Sequence, residues 1–489
     1  MIRIEKRVRH QLIVLSCITV FCGQLNLSFS QNKETDSLLQ VTGDTSRIFT
    51  VNRILIIGNK RTRDAIISRE LSLKPSDTIR ARKLTETLLW DKRKLYNLRL
   101  FNVVTVRSLQ MSANTIDLLV EVEERWYTWP VPIFELSDRN FNEWWQTYNH
   151  DLNRVNFGIR LDQFNFRGRN ETVQLTAQFG FTQRFGLRYS IPYIDKRQKQ
   201  GLGFNFEYGN PKNIDYFTKD HRLLFLNSPK PVRVYHSGGI EYTYRKSFFE
   251  THSLSLSYNS AQVSDTIAIL NPIYFTAASN RQRFFNLSYT FKSEHRDVVM
   301  YPLKGYQFTG HVERTGFGIE GPINQWVLSL TYAYHRDLQK GYYFSNFASA
   351  FLSTPSEQPY SFYGALGYQR QLVRGYEVFV IQGPKFFVDR TTLKKKIFSK
   401  VWNWNSMPLQ QFRYLPFAVY LKSFLDVGYV ENYPYYESLN LNTRLSNKLL
   451  AGYGGGVDFV FPYDAVLRIE YTFTREGTQG FFFNLKKEF

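Results

Sequence analysis

The sequence predicts a membrane all-β protein: a transmembrane antiparallel β-barrel of about sixteen strands, preceded by one small α+β domain. Three observations carry that expectation. From Arg154 to Phe489 apolar and polar residues alternate with period two, the pattern of strands with one apolar and one wet face. Aromatics reach 17% of the 489 residues, yet mean hydropathy is −0.35, so apolar side chains are dispersed by alternation rather than gathered in runs. After residue 30 no segment approaches the roughly 18 consecutive apolar residues of a membrane helix. An exported chain of this kind crosses a membrane as strands or stays soluble in the envelope.

Export is the reading of residues 1–30. Arg3, Lys6, Arg7 and Arg9 form a basic start, Leu12 to Phe21 an apolar stretch, and Ser28-Phe29-Ser30 a small-x-small cleavage site. The mature chain is then expected to begin at about Gln31. A rival cut lies before Cys17, because Val14-Leu15-Ser16-Cys17 resembles a lipoprotein signal. Both cysteines, Cys17 and Cys22, fall inside the signal, which excludes disulfides and thiolate metal sites from the mature chain. The net charge of +20 is scattered, with no basic helix or aromatic RNA-binding motif. Loops, turns and a wet lumen near anionic headgroups accommodate it, and nucleic acid is not an expected partner. Residues 31–47 are polar and aperiodic, a flexible leader.

Residues 48–124 change texture. Val51 to Ile57 is a strand closed by Gly58-Asn59. Thr62 can cap a helix through Ile66, Ile67 and Leu71, which Lys74-Pro75-Ser76-Asp77 stops. A second helix carries Leu84, Leu88 and Leu95 at helical spacing. Strands Phe101 to Leu109 and Thr115 to Glu123 follow, the second alternating Ile116, Leu118, Val120 and Val122 with mostly polar neighbours. This β-α-α-β-β order, with Gly58-Asn59, Leu95-Tyr96, Leu100-Phe101 and a Val-x-Val-x-Glu ending, resembles one POTRA domain. The resemblance implies binding of client chains or partner proteins by strand addition at a sheet edge.

Residues 125–152 form a Trp- and Pro-rich connector. Trp126, Trp129, Trp144 and Trp145 suit either an aromatic girdle at the membrane surface or packing of the small domain against a barrel rim. The barrel is expected over 153–489. About sixteen alternating runs are counted, beginning with 154–166 and ending with 480–489, the fifth at 218–227 and the twelfth at 377–391. With the small domain on the periplasmic side, loops after odd-numbered runs face outward, and Arg374 falls in the sixth outer loop.

Two motifs stand out. Leu372-Val373-Arg374-Gly375-Tyr376-Glu377 lies in a turn-rich segment, and Phe424-Leu425-Asp426-Val427-Gly428 lies in a strand. Alternation puts Phe424, Asp426 and Gly428 on one face, with Leu425, Val427 and Tyr429 on the other. In a barrel Asp426 looks into the lumen, where a carboxylate wants a cation, and Arg374 on a folded-in loop can supply it. Val-Arg-Gly-Tyr followed by Phe-x-Asp-x-Gly resembles the paired signature of the BamA/TamA outer-membrane superfamily, surface-antigen type, whose sixth loop folds back into the barrel. The resemblance implies a loop-six latch (Arg374, Gly375, Tyr376) against a lumen motif (Phe424, Asp426, Gly428). The final strand, with Phe481, Phe483, Leu485 and Phe489, resembles the C-terminal sorting signal of such barrels. Asp297 and Tyr301-Pro302-Leu303-Lys304-Gly305 resemble a family turn that shapes a hairpin.

Other chemistry finds no support in the residues. The histidines are dispersed without ligand spacing, Gly452 to Gly456 lacks the Lys-Ser/Thr of a phosphate loop, and Gly-x-Ser-x-Gly is absent. No enzyme, metal or cofactor is expected. The resemblance implies an outer-membrane location with the POTRA domain in the periplasm. It also implies assistance to client outer-membrane or secreted polypeptides, through the POTRA sheet edge and a seam between the first and last strands. Periplasmic or lipoprotein accessory partners fit the same picture. A single POTRA domain points to an accessory or specialised member. A secretion pore for a dedicated partner, or a passive channel, are the alternatives.

Overall fold

The computed structural model describes residues 47–136, 152, 155–276, 279–367, 371–463 and 465–487. The expected signal peptide, nearly all of the leader, Trp144, Trp145 and Phe489 lie outside the described residues.

The amino-terminal domain is built on β1 (Ile48–Ile57), α1 (Asp64–Ser68), β2 (Thr78–Arg80), α2 (Ala81–Asn97), β3 (Phe101–Gln110) and β4 (Thr115–Glu124). Its sheet has the order β2-β1-β4-β3, with β1 and β4 parallel and β3–β4 a hairpin. The alternation in β4 buries Ile116, Leu118, Val120 and Val122, and α2 lays Leu84, Leu88 and Leu95 over them in one core. Sequence reading missed β2, a three-residue strand too short for any periodicity. Thr62 caps no helix, which corrects that expectation: α1 is capped by Arg63 without a side-chain bond. The Thr62 hydroxyl instead donates to Glu124 Oε1 (2.7 Å) and accepts from Asn165 Nδ2 (2.8 Å), tying the domain to the barrel.

Sixteen antiparallel strands make the large sheet. They are β5 (Thr128–Leu136), β6 (Val155–Phe166), β7 (Glu171–Gly180), β8 (Gln183–Ile191), β9 (Gln200–Asn210), β12 (Arg233–Arg245), β13 (Glu250–Val263) and β14 (Arg281–Glu294). Then come β15 (Gly305–Thr315), β16 (Gln325–Gln339), β17 (Tyr342–Thr354), β20 (Lys385–Asn403), β21 (Tyr414–Glu431), β22 (Leu449–Val460), β23 (Ala465–Thr474) and β24 (Gln479–Lys487). Two small hairpins stand apart on loops: β10 (Asn213–Lys219) with β11 (Arg222–Asn227), and β18 (Ala365–Leu366) with β19 (Ile381–Gln382). Outward faces carry exposed Phe, Leu, Ile and Tyr, such as Phe179, Leu256 and Leu330, while lumen faces are polar.

The expected strand list needs three corrections. The first strand of the sheet is β5, inside the stretch read as connector, so 154–166 is second. The run 218–227 is not in the wall; it belongs to the β10–β11 hairpin, where Ile214 and Leu226 feed a small cluster among the loops. These two errors cancel in the count, but they invert the first turns. Residues 167–170 and 192–199, expected on the outer side, meet the amino-terminal domain: Arg63 N–H donates to the Gly168 carbonyl (3.0 Å), and the Arg69 guanidinium lies 3.6 Å over the Tyr193 ring. The expected run 377–391 starts eight residues before the strand itself, since β20 begins at Lys385.

The domain lies across one end of the barrel. Besides Gly168 and Tyr193 it touches β12 and the turn after it, through Glu70–Arg245 and Trp90–Phe249, the turn before β15 through Asn97–Asp297, and the last two turns through Asn102 and Gln411 and Arg125 and Tyr463.

Candidate functional site

Residues 355–367 and 371–384, between β17 and β20, belong to the sixth loop at the far end. The β18–β19 pair pinches it, and Leu366, Val373, Tyr376, Phe379 and Ile381 pack with Val388, Val430 and Leu450 of the wall. Apolar burial therefore sets the loop in the lumen before any charge is counted.

Arg374 is delivered to the wall by this packing. Its backbone N–H and Nε–H donate to Asp426 Oδ2 (3.1 and 2.8 Å), and Nη2–H donates to Oδ1 (2.6 Å). Nη2 also reaches Thr392 Oγ1 (3.0 Å) and Nη1 reaches Glu470 Oε1 (3.3 Å). The guanidinium lies 3.8 Å over the Phe424 ring. Asp426 is fully buried, facing the lumen, while Leu425 and Tyr429 are exposed on the outer face. Gly375 has φ +95°, and a Cβ there would stand 2.6 Å from Thr474 Cγ2, so both backbone and space require glycine. Gly452 of β22 lets the Arg374 carbonyl approach the wall. Tyr376 hydroxyl contacts the Ala451 carbonyl and Glu476, and Gly428 lies beneath Val373.

The structure brings together residues that sequence reading did not. Lys422 bridges Asp458 (2.5 Å) and Glu470 (2.7 Å), and Tyr301 donates to Asp458 Oδ2 (2.9 Å). Thus the turn read as a hairpin shaper also joins the charge network; its Asp297 Oδ1 does accept the N–H groups of Val298, Leu303 and Lys304. Glu377 Oε2 accepts the Gly375 N–H (2.6 Å), and burial pushes this carboxyl up to about 7. Parity alone could have placed Lys422, Asp458 and Glu470 in the lumen, but not in register. Among the described residues no group of His, Cys, Asp and Glu is arranged to hold a metal ion.

A second feature lies at the ends of the sheet. β5 pairs only with β6 and β24 only with β23, and among the described residues nothing pairs β5 with β24. Phe134, Phe481 and Phe483 are about 70% exposed there, against 54% or less for the described outward aromatics of the other wall strands. Pro130 and Pro132 share one parity of β5 and have no N–H, and a proline is tolerated in a sheet where its nitrogen faces an open edge. The seam edge of β5 therefore lacks two successive donors. Leu485 pairs through its backbone with Leu467. In the amino-terminal domain the outer edge of β3 is likewise unpaired within the sheet.

Comparison with known proteins agrees with this architecture. Residues 165–489 match the sequence profile of the Omp85 superfamily domain, and residues 49–125 match the POTRA profile described as a surface antigen variable number repeat. A putative outer membrane protein assembly factor of Treponema pallidum (strain Nichols) is 39% identical over 77 residues, 15% of this chain and 9% of that protein. The chain therefore spans under a tenth of that relative. Among solved structures, BamA from Haemophilus ducreyi lacking POTRA domains 1–3 superposes with TM-score 0.51 at 14% identity, covering 90% of this chain and 85% of the other. CdiB from Escherichia coli gives 0.53 at 11% identity, covering 89% and 76%. At such identities these two share the fold.

Proposed function

Because the chain belongs to the Omp85 superfamily, whose members are outer-membrane β-barrels with periplasmic POTRA domains, we propose that it assists insertion of other proteins into the outer membrane. The observation that carries this reading is the unzipped seam. Among the described residues the two end strands of the sheet, β5 and β24, each pair on one side only, and exposed phenyl rings flank their open edges. In lipid an unmet backbone group costs several kcal/mol, so such edges favour whatever strand can pair with them. A client β-strand is that partner. Its folding supplies the free energy, and no nucleotide or metal enters.

Loop six supports insertion over passive conduction, since it occupies the lumen that a channel would keep open. We assign the Arg374–Asp426 contact the role of a latch that keeps the loop seated, and the free edge of β3 the role of a client-docking edge on the periplasmic side. Phe481, Phe483, Leu485 and Phe489 would act earlier, as the signal that sends this chain to its own membrane. The chain is then an accessory or specialised member, working with periplasmic or lipoprotein partners.

Depletion followed by quantitative proteomics of the outer membrane tests the proposal. Insertion requires that several integral barrel proteins fall together, by about threefold or more. Loss of a single exported protein with the barrels unchanged would replace insertion by export.

A further inference from the structure

The outer face of strands β17 and β20 carries a polar patch that neither the latch nor the seam uses. Asp389 points away from the lumen: its neighbours along β20, Val388 and Arg390, face inward, and Phe387 and Leu393 on its own face are exposed. Phe387 and Tyr429 lie toward the far rim and Leu393 and Leu425 toward the other, so the carboxylate sits within the apolar band. The Lys385–Glu431 ion pair marks the far rim, four residues up the strand, about 9 Å in depth for a tilt of about 45°. An aspartate side chain is too short to reach water from there.

Among the described strand residues, the other carboxylates of outward parity, Glu171, Glu250 and Glu431, stand at strand ends beside Arg167, Lys246 and Lys385. Among the described residues no cation pairs with Asp389. Asn346 of β17 donates to its two oxygens (3.1 and 2.9 Å) and to Thr391 Oγ1 (3.0 Å), and Thr391 donates to Oδ1 (3.3 Å). The nearby outward lysines are committed, Lys385 to Glu431 and Lys395 to the Lys340 carbonyl. Neutral donors hold the carboxylate in place and leave its charge uncompensated. Beside it, Ala348 pairs with Asp389 in register and Ala350 follows on the same face, so another backbone can come close.

Ionisable groups in the apolar band are costly and usually have a partner. We propose that this patch docks a membrane-spanning segment of a different polypeptide that presents a lysine or arginine at mid-depth. A second copy of this chain does not fit. The donors of Asn346 and Thr391 are spent within the patch, so what faces outward is the Asp389 carboxylate and the Asn346 carbonyl, and a copy would bring the same acceptors. The inference rests on the barrel being in lipid and is independent of whether its clients are inserted or exported. The patch lies on the two strands that bracket loop six, so a docked segment would touch the wall into which the latch is set.

The test uses the protein in phosphatidylcholine vesicles, labelled at a cysteine replacing Glu320, and synthetic membrane-spanning polyleucine helices with a central Lys, Leu or Glu. Energy transfer reports association. The lysine peptide is expected to associate at least about fivefold more tightly than the leucine peptide. That preference should vanish in Asp389→Leu, and in Asp389→Lys it should pass to the glutamate peptide. Retained heat-modifiable migration in gels shows that each variant is folded. Equal association of the three peptides with the unsubstituted protein would overturn the proposal, as would a lysine preference that survives Asp389→Leu. Transfer between copies of the protein itself, lost in Asp389→Leu, would replace it with self-association.

Discussion

At Arg374 one guanidinium answers two carboxylates, Asp426 and Glu470, that stand on different strands. Removing it leaves Asp426 buried without the cation that hydrogen-bonds it, at a cost of about 3–5 kcal/mol. Arg374→Ala is therefore expected to unseat loop six, read as protease cleavage within 355–384 at least tenfold faster than in the parent. Arg374→Lys should recover only part of the protection, because an ammonium cannot form the two-pronged contact or the stack on Phe424. Parent-like cleavage in Arg374→Ala would remove the latch from the account. Glu377 gives a pH signature. Its carboxyl is raised to about 7 in the folded loop, so its contribution is complete below the ordinary carboxylate range and is lost as pH rises through about 7. Loop protection should weaken between pH 6 and 8 (a window set by that value), and Glu377→Gln should flatten the dependence. The pair Arg374 and Asp426 could be anticipated because a lone lumen carboxylate constrains its partner. Thr392, Tyr301 and Lys422 could not, since parity fixes a face and leaves register open.

The strand most easily overlooked, β5, is the one at the seam. Pro130 and Pro132 argue against any strand that must pair on both sides, and they mislead only because this strand pairs on one. The converse error, at 218–227, came from alternation that serves a loop hairpin as well as a wall. Local pattern reports that a segment is extended, and the topology decides what it pairs with. For the long, regular runs from β12 to β17 and from β21 to β24 the two coincide, and there the sequence was a sufficient guide. Replacing both prolines with valine returns two donors to the open edge. At about 0.5–1.5 kcal/mol for each backbone hydrogen bond formed, the seam should close further. The expected results are a higher temperature for the heat-modifiable transition and slower client insertion. An unchanged transition would mean that the prolines do not keep the seam open.

Across the whole molecule, loop six fills the lumen from one end and the amino-terminal domain lies over the other. Glu70 holds that second closure. Arg245 donates to its two oxygens (2.7 and 2.9 Å), and Arg69 is packed beside it. Burial alone would raise the Glu70 carboxyl, but the hydrogen bonds and charge of Arg245 outweigh it and hold the group below its ordinary value. The clasp is thus complete above the ordinary carboxylate range and is lost as pH falls through the lowered value. Acidification below about pH 4 should release the domain, seen as a change in Trp90 fluorescence as it leaves Phe249. Glu70→Gln should produce the released state near neutral pH.

The central claim is that clients enter through the seam between β5 and β24. Cysteines replacing Val131 and Asn484, both facing the lumen near the domain side, can be joined by a short reagent that a reductant cleaves. Joined, the protein should lose at least about nine-tenths of its insertion activity on a reconstituted client barrel, and recover it on reduction, while each single variant treated alike stays near the parent. Full activity with the two strands tied together would contradict the account.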